Sequence, residues 1–394
     1  RRLRVDFHEP GERRRREYDG LIDMSQTALV IGGTGPTGPH IVNGLIDRGY
    51  ETSILHRGTH DSDLIPAHVG RIIGDPHFKE TLSEALGDRR FDLIVATYGR
   101  IRYVAEVVAE HTDRLITVGG SPGYRGTRQP DRLFPWGLQV PLPEDAPQVA
   151  TEEEFRFGYL ARISELAVLE HHEAGDYAAT HLRYPLIYGP RQLVPMEWRV
   201  MRRVLDGREI VVLPDDGHIL FSRGYAVNMA HALLLAADDP AASGGKIYNA
   251  ADTHQFTLGQ WVEVIADAMG AKLEIVGIPG DYAYPARELV IGRTELHHQL
   301  FDTHAIRADL GYIDIVPPIE GLAETVRWYR DNPPSMPEEF EEDIKAHYKT
   351  EERLAELDKA YRAQLAEVEH VSRPYRHPYA HPKKPNEKRD HRSR

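Results

Sequence analysis

The chain contains no cysteine. Disulfides, thiolate nucleophiles and zinc–thiolate centres are therefore excluded, and a cytoplasmic location is expected. No apolar run approaches the ~20 residues that span a bilayer, so no membrane partner is expected. Positive charge is not in excess either. Lys and Arg number 48 against 61 Asp and Glu, a net charge of −13 with His neutral. This balance argues against nucleic acid as the main partner. Lysine is missing altogether between Lys79 and Lys246. No internal repeat is visible. What is present is 41% hydrophobic and 28% charged residues over 394 positions, enough for one large globular domain or two modest ones.

The most informative stretch runs from Ala28 to Arg48. Ala28 to Ile31 reads as a buried parallel strand. Gly32, Gly35 and Gly38 follow at G-x-x-G-x-x-G spacing, with Thr34, Pro36 and Thr37 between them. Pro39 to Arg48 reads as a helix, with Pro39 near its first turn and Gly49 at its end. A strand, a glycine turn and a helix N-terminus together form an anion site, because backbone N–H groups and the helix dipole favour negative charge. Gly32 would permit the tight turn, Gly35 the approach of a pyrophosphate, and Gly38 close packing of helix on strand. The reading is a dinucleotide site.

Strands are expected at residues 51–55, 71–73, 91–96, 114–118 and 181–188, with helices at 79–86, 102–110 and from Thr151 to about Ala174. This alternation implies a doubly wound parallel (Rossmann) sheet, an α/β fold with ligands beyond the carboxyl ends of its strands. Arg57 ends the second strand, and no Asp or Glu occupies residues 55–58. An acidic residue there would suit the adenosine ribose, whereas arginine suits a 2′-phosphate, so NADP(H) is favoured over NAD(H). Asp75 could accept from the adenine amino group or cap the turn at Pro76. Thr97, Tyr98, Gly99 and Ser121 should line the same crevice. Residues 122–150 hold six prolines and read as a long irregular loop, either a lid or a surface excursion.

The residues Gly32-x-x-Gly35-x-x-Gly38, Gly74-Asp75 and Leu182-Arg183-Tyr184-Pro185-Leu186-Ile187-Tyr188-Gly189-Pro190 resemble the extended short-chain dehydrogenase/reductase superfamily, the NAD-dependent epimerase/dehydratase family. Ile247-Tyr248-Asn249, Leu310-Gly311-Tyr312 and the segment from Ile319 to Tyr329 extend the resemblance over residues 26–333. It implies a cofactor sheet followed by a smaller substrate domain, with Tyr184, Pro185, Leu186 and Ile187 near the nicotinamide and Arg223 facing substrate. It also implies a catalytic Ser or Thr after the fifth strand and a Tyr-x-x-x-Lys helix pair. The tyrosine would pass a proton and the lysine would lower its pKa. This chain departs from that set. Ser121 is displaced by one residue from the usual offset to Tyr124. Tyr159 is followed at the lysine position by Ile163, and Arg162 on the same helix face could supply the charge. Aligning Glu165 to the family's helix glutamate instead puts Phe157 and Ala161 in the two positions. Tyr159, Ser121 and Arg162 are the catalytic candidates; Tyr98, Tyr124 and Tyr188 are rival proton donors, and Tyr124, Tyr188 and Arg223 candidate substrate contacts.

The expected layout is an N-terminal extension (1–25, with Met24 close to the natural start), a Rossmann domain (26–190), a mostly substrate-binding segment (191–333), a helical extension (334–371) and a basic, His-rich tail (372–394). His218 and His231 lack ligand spacing, and His297, His298 and His304, which cluster with Asp302, read as a loop, so no metal is expected. The expected function is an NADP(H)-dependent oxidoreductase or epimerase-like enzyme on a small carbonyl or alcohol, possible as a homodimer. The alternative is an atypical relative that holds the cofactor but acts as a regulator or RNA-associated protein, as the missing lysine suggests.

Overall fold

The computed structural model of the protein describes residues 26–59, 61–290, 297–335, 338–369, 371–372 and 384–386. The expectations for residues 1–25, Met24 included, and for most of 372–394 lie outside the described residues. The first half alternates as β1 (Thr27–Ile31), α1 (Gly38–Asp47), β2 (Glu51–His56), β3 (Gly70–Ile73), α2 (Lys79–Leu86), β4 (Leu93–Ala96), α3 (Ile101–Val108), β5 (Arg114–Gly120), α4 (Glu152–Ala174) and β6 (Ala178–Tyr184). The second comprises β7 (Leu186–Tyr188), α5 (Met196–Leu205), β8 (Ile210–Pro214), β9 (Arg223–Tyr225), α6 (Ala226–Asp238), α7 (Pro240–Ser243), β10 (Lys246–Asn249), α8 (Leu258–Ala268), β11 (Glu274–Ile278), α9 (His304–Leu310), α10 (Pro318–Asp331) and α11 (Glu338–Ala366).

Seven parallel strands form the main sheet in the order β10-β6-β5-β4-β1-β2-β3. The order reverses at β1, which lies between β2 and β4, and that switch point is where a doubly wound sheet opens a ligand crevice. β1 and β4 are apolar runs because helices cover both faces of the sheet. One face packs Val30, Ile41, Val95 and Leu233 together, the other Leu29, Ile94, Val104 and Val168. The chain crosses back after residue 190: β10 becomes the sheet's edge strand and α6 packs beside α1, with Leu233 and Tyr248 in the same core as Val30.

A second lobe gathers two short parallel pairs, β8 with β11 and β7 with β9, around a core containing Val212, Trp261, Val262 and Leu322. Thr257 caps α8 in a reciprocal capping box with Gln260. α11 docks on β8 and β11 of its own chain. Its apolar stripe is thin because ion pairs share the docking. Arg203 and Glu351, 3% and 0% exposed, meet at 2.8 Å, and Arg208 meets Glu352 at 2.6 Å. Beyond Leu354 the stripe is uncovered, with Leu357, Tyr361 and Leu365 exposed.

Between the lobes a buried polar network fixes α4 to β5 and β6. Arg183 donates to both carboxylate oxygens of Glu165 (2.6 and 2.7 Å) and to the Tyr124 hydroxyl (2.6 Å), which itself donates to Asn249. His181 Nδ1 lies 2.7 Å from the Thr117 hydroxyl, with its Nε2 against Gly119. Burial pushes the His181 imidazole down to about 4 from its ordinary 6.5, against the opposing pull of Glu165. The folded chain thus keeps this ring neutral where the unfolded chain takes up a proton. The resulting stability is complete above pH 6.5 and is lost as pH falls toward 4, by about 3 kcal/mol in all. In urea unfolding across that window, wild type should lose stability on acidification more steeply than His181→Asn. Parallel slopes would contradict the assignment.

Candidate active site

The glycine turn is built by close backbone approach. Gly32 has φ +90°, and a Cβ on it would sit 2.3 Å from the Cβ of Tyr98. A Cβ on Gly38 would sit 2.2 Å from the Gly33 carbonyl oxygen. Gly35 differs: a Cβ there would meet only the Gly32 carbonyl oxygen, at 3.9 Å. Internal packing therefore does not require glycine at 35, and the space above it belongs to the crevice. α1 begins with proline in its first turn and has no side-chain cap. The dipole end of the helix and an open glycine suit an incoming pyrophosphate. The residues present thus fit a dinucleotide.

One cavity of about 570 Å³ opens over this turn. Gly32, Thr34, Gly35, Pro36 and Thr37 line its middle. Thr97 ties the end of β4 to the turn through hydroxyl bonds to the Ile31 and Gly32 carbonyls, 3.3 Å each. At one end lie Arg57 and Tyr98, the guanidinium 5.6 Å from the ring centroid. Tyr98 packs edge-on against His77 at 4.9 Å. Asp75 does not face the cavity. Its carboxylate accepts from the His77 backbone N–H at 3.0 Å and lies 2.7 Å from His77 Nδ1, which makes it the turn cap rather than an adenine contact. Gly99 and Gly38 also lie off the lining. Gly99 is needed for packing, since its Cβ would sit 2.7 Å from Pro76.

The other end is formed by Gly119, Gly120, Ser121 and Pro122, with Tyr184 to Ile187 opposite. Here α4 decides which side chains reach the site. Gly158 packs so closely on this turn that a Cβ would lie 2.3 Å from the Pro122 carbonyl oxygen. Thr151 caps the helix through the Glu154 N–H, and the helix is interrupted at Phe155, whose backbone is extended. Phe155 and Phe157 consequently face the cavity. Tyr159 does not line it, because two residues along a helix is a turn of about 200°. Arg162 is engaged elsewhere: its Nη1 donates to the carbonyl oxygens of Val149 (3.1 Å) and Ala150 (3.4 Å). Ser121 lies on the cavity, with no hydrogen-bond partner for its hydroxyl among the described residues.

The candidate substrate contacts are turned inward. Tyr124 is 1% exposed, and burial pushes its hydroxyl up to about 12. Tyr188 donates to Asp252 at 2.8 Å and packs on Tyr225. Arg223 is 4% exposed and lies over the Trp261 ring at 4.4 Å. None of the three lines the cavity. Sequence reasoning missed Arg128, Phe155, Gln192 and Leu193, which do. The apolar pair Leu193-Val194, three residues after the Gly189-Pro190 turn, was the available signal.

The NAD dependent epimerase/dehydratase family matches residues 132–251. A dTDP-glucose 4,6-dehydratase from an Actinoplanes species is 25% identical over 345 residues, 77% of this chain and 98% of the relative. A 3-beta-hydroxysteroid dehydrogenase from Mycolicibacterium neoaurum is 24% identical, across 77% of this chain and 91% of its own. The solved UDP-glucose 4-epimerase of Thermotoga maritima superposes with a TM-score of 0.62 at 18% identity, covering 78% of this chain and 99% of that one. The chain is thus similar to the NAD-dependent epimerase/dehydratase family over residues 132–251 and shares the fold of the solved epimerases. Glu165 is paired with Arg183. Of the helix positions weighed from the sequence, Phe157 lines the cavity, whereas Tyr159, Ala161, Arg162 and Ile163 do not. Among the described residues, no helix is long and apolar enough to cross a membrane.

The open geometry at Gly35 separates ligand binding from folding. Gly35→Ala should leave the midpoint of thermal unfolding within about 2 °C of wild type, since nothing is displaced, while weakening nucleotide binding by roughly tenfold or more. Equal losses in stability and binding would contradict the assignment of that space to a ligand.

Proposed function

We propose that this chain is an NADP(H)-dependent oxidoreductase or epimerase-type enzyme acting on a carbonyl or alcohol substrate. The observation that carries the reading is the continuity of one cavity from Arg57, over the glycine turn, to Ser121 at the end of β5. When bound, the nicotinamide would give or take hydride. Arg57 would pair with the ribose 2′-phosphate, and the backbone beside Gly35 would admit the pyrophosphate. Pro185 to Ile187 would form the wall beside the nicotinamide, held in place by the Gln192 side chain, which donates to the Ile187 carbonyl oxygen at 2.8 Å. Ser121 would orient the substrate oxygen, while Phe157 and Leu193 exclude water.

By their names, the relatives include a nucleotide-sugar dehydratase, a UDP-sugar decarboxylase and a hydroxysteroid dehydrogenase. They support nicotinamide chemistry at a carbinol carbon and leave the substrate to the chain's own walls. The proton is the weak point of this site. With Phe157 rather than Tyr159 on the cavity and, among the described residues, no lysine in its lining, turnover should be slower by roughly 10²–10⁴-fold than with an acid–base pair. That same observation favours a second reading, a relative that holds the cofactor without turnover.

Calorimetric titration tests the cofactor assignment. NADPH should bind more tightly than NADH, and Arg57→Ala should weaken NADPH by roughly 10- to 100-fold while changing NADH by less than about threefold. Absence of binding by either nucleotide would overturn the enzyme reading. Tight NADPH retention without hydride exchange to any ketone would select the second.

A further inference from the structure

We propose that the substrate end of the cavity takes an apolar ring or chain carrying one hydroxyl or ketone oxygen, rather than a nucleotide sugar. This rests on the proposed reading of that cavity as the cofactor and substrate site.

The first argument concerns the wall. Around Ser121 the surface is formed by Val118, Pro122, Phe157, Leu186 and Leu193, with Thr127, Arg128 and Gln192 as its polar members. Among the described residues no carboxylate lines the cavity, and its guanidinium groups are Arg57 and Arg128. Arg57 stands at the opposite end, across the glycine turn, and Arg128, at this end, already has a partner within the protein. A nucleotide sugar would bring two phosphate charges and several hydroxyls into this wall. Polar groups buried without partners are strongly penalised.

The second argument concerns where the polar groups went. The side chains near the lobe junction that could grip phosphates or sugar hydroxyls are bonded within the protein or buried away from the cavity. Tyr124 and Arg183 bond each other at 2.6 Å, with Glu165 and Asn249 completing the set. Tyr188 is held by Asp252. Ser222 accepts from the Phe301 N–H at 2.7 Å. Arg223 is sealed under Trp261. Releasing Tyr124, Arg183, Tyr188 or Ser222 toward a ligand would unpair a partner, and Arg223, whose guanidinium has no hydrogen-bond partner among the described residues, does not line the cavity.

The third argument concerns exposure. Phe157 is 63% exposed and Leu193 80% exposed, both on the cavity, and Val194 beside them is 69% exposed. Large apolar side chains left open around a cavity mark surface that a ligand covers. The Ser121 hydroxyl then faces the single oxygen of an otherwise apolar molecule.

β-Tetralone, a bicyclic ketone, and UDP-glucose serve as probes, each titrated calorimetrically into the protein with and without saturating NADPH. β-Tetralone should bind at least tenfold more tightly than UDP-glucose. Phe157→Ser and Leu193→Ser should each weaken it by roughly tenfold, the scale of one exposed side chain losing its burial against the ligand. Both positions are solvent-exposed in the free protein, and thermal unfolding checks that each variant folds. UDP-glucose binding more tightly, no β-tetralone binding, or indifference to both substitutions would each overturn the proposal. If neither NADPH nor NADH binds, the cofactor reading falls by itself. The titration without nucleotide still decides this one, because the apolar wall is formed by the chain alone.

Discussion

Close approach of backbone to backbone, at places with no room for a Cβ, holds this crevice in shape. Gly32 lies against Tyr98, Gly38 against the Gly33 carbonyl, and Gly158 against the Pro122 carbonyl. The first two bring the amino end of α1 down onto the sheet at its switch point. The third presses α4 onto the turn after β5. Packing densities leave no slack at such contacts, so the relative positions of turn, helix and strand end are fixed rather than adjustable. Gly35, in the middle, is the exception that leaves open space, and the cavity is centred on it.

The polar chemistry of the lobe junction follows from the same compaction. Once α4 is seated, Glu165 is buried and requires a cation, and Arg183 of β6 meets it. Arg183 in turn draws in the Tyr124 hydroxyl, and Asn249 of β10 accepts from it. Groups that resemble substrate ligands in a linear reading thus become structural, because an unpaired member of a buried network is costly. What reaches the cavity at this end is mainly apolar surface, with Ser121, Thr127, Arg128 and Gln192. Site chemistry and core stability divide the same set of residues between them.

The parts of this molecule encoded locally were legible in the sequence. Apolar runs marked β1 and β4, the glycine spacing marked the turn, and Thr151 and Thr257 marked the starts of α4 and α8. The face of α4 that meets the cavity was not legible. It depends on Gly158 meeting Pro122 and on the break at Phe155, contacts that no spacing rule contains. Tyr159 and Arg162 were an attractive pair on one helical face, yet that face is turned from the site. The docking of α11 was hidden for a different reason. Arg203 and Glu351, far apart in the sequence, are buried against each other in the fold, and no local pattern pairs them. Asp75 could serve either adenine or its own turn, and the local turn geometry took it.

The central claim is that a single crevice across the strand ends holds the dinucleotide. Amide hydrogen exchange followed by mass spectrometry, with and without saturating NADPH, tests it most directly. The account predicts slowed exchange at residues 32–38, 56–59, 97–99, 119–122 and 184–187, with the amides of α8 and α11 unchanged. Protection elsewhere with the glycine turn unaffected, or no protection under conditions where NADPH is bound, would contradict it.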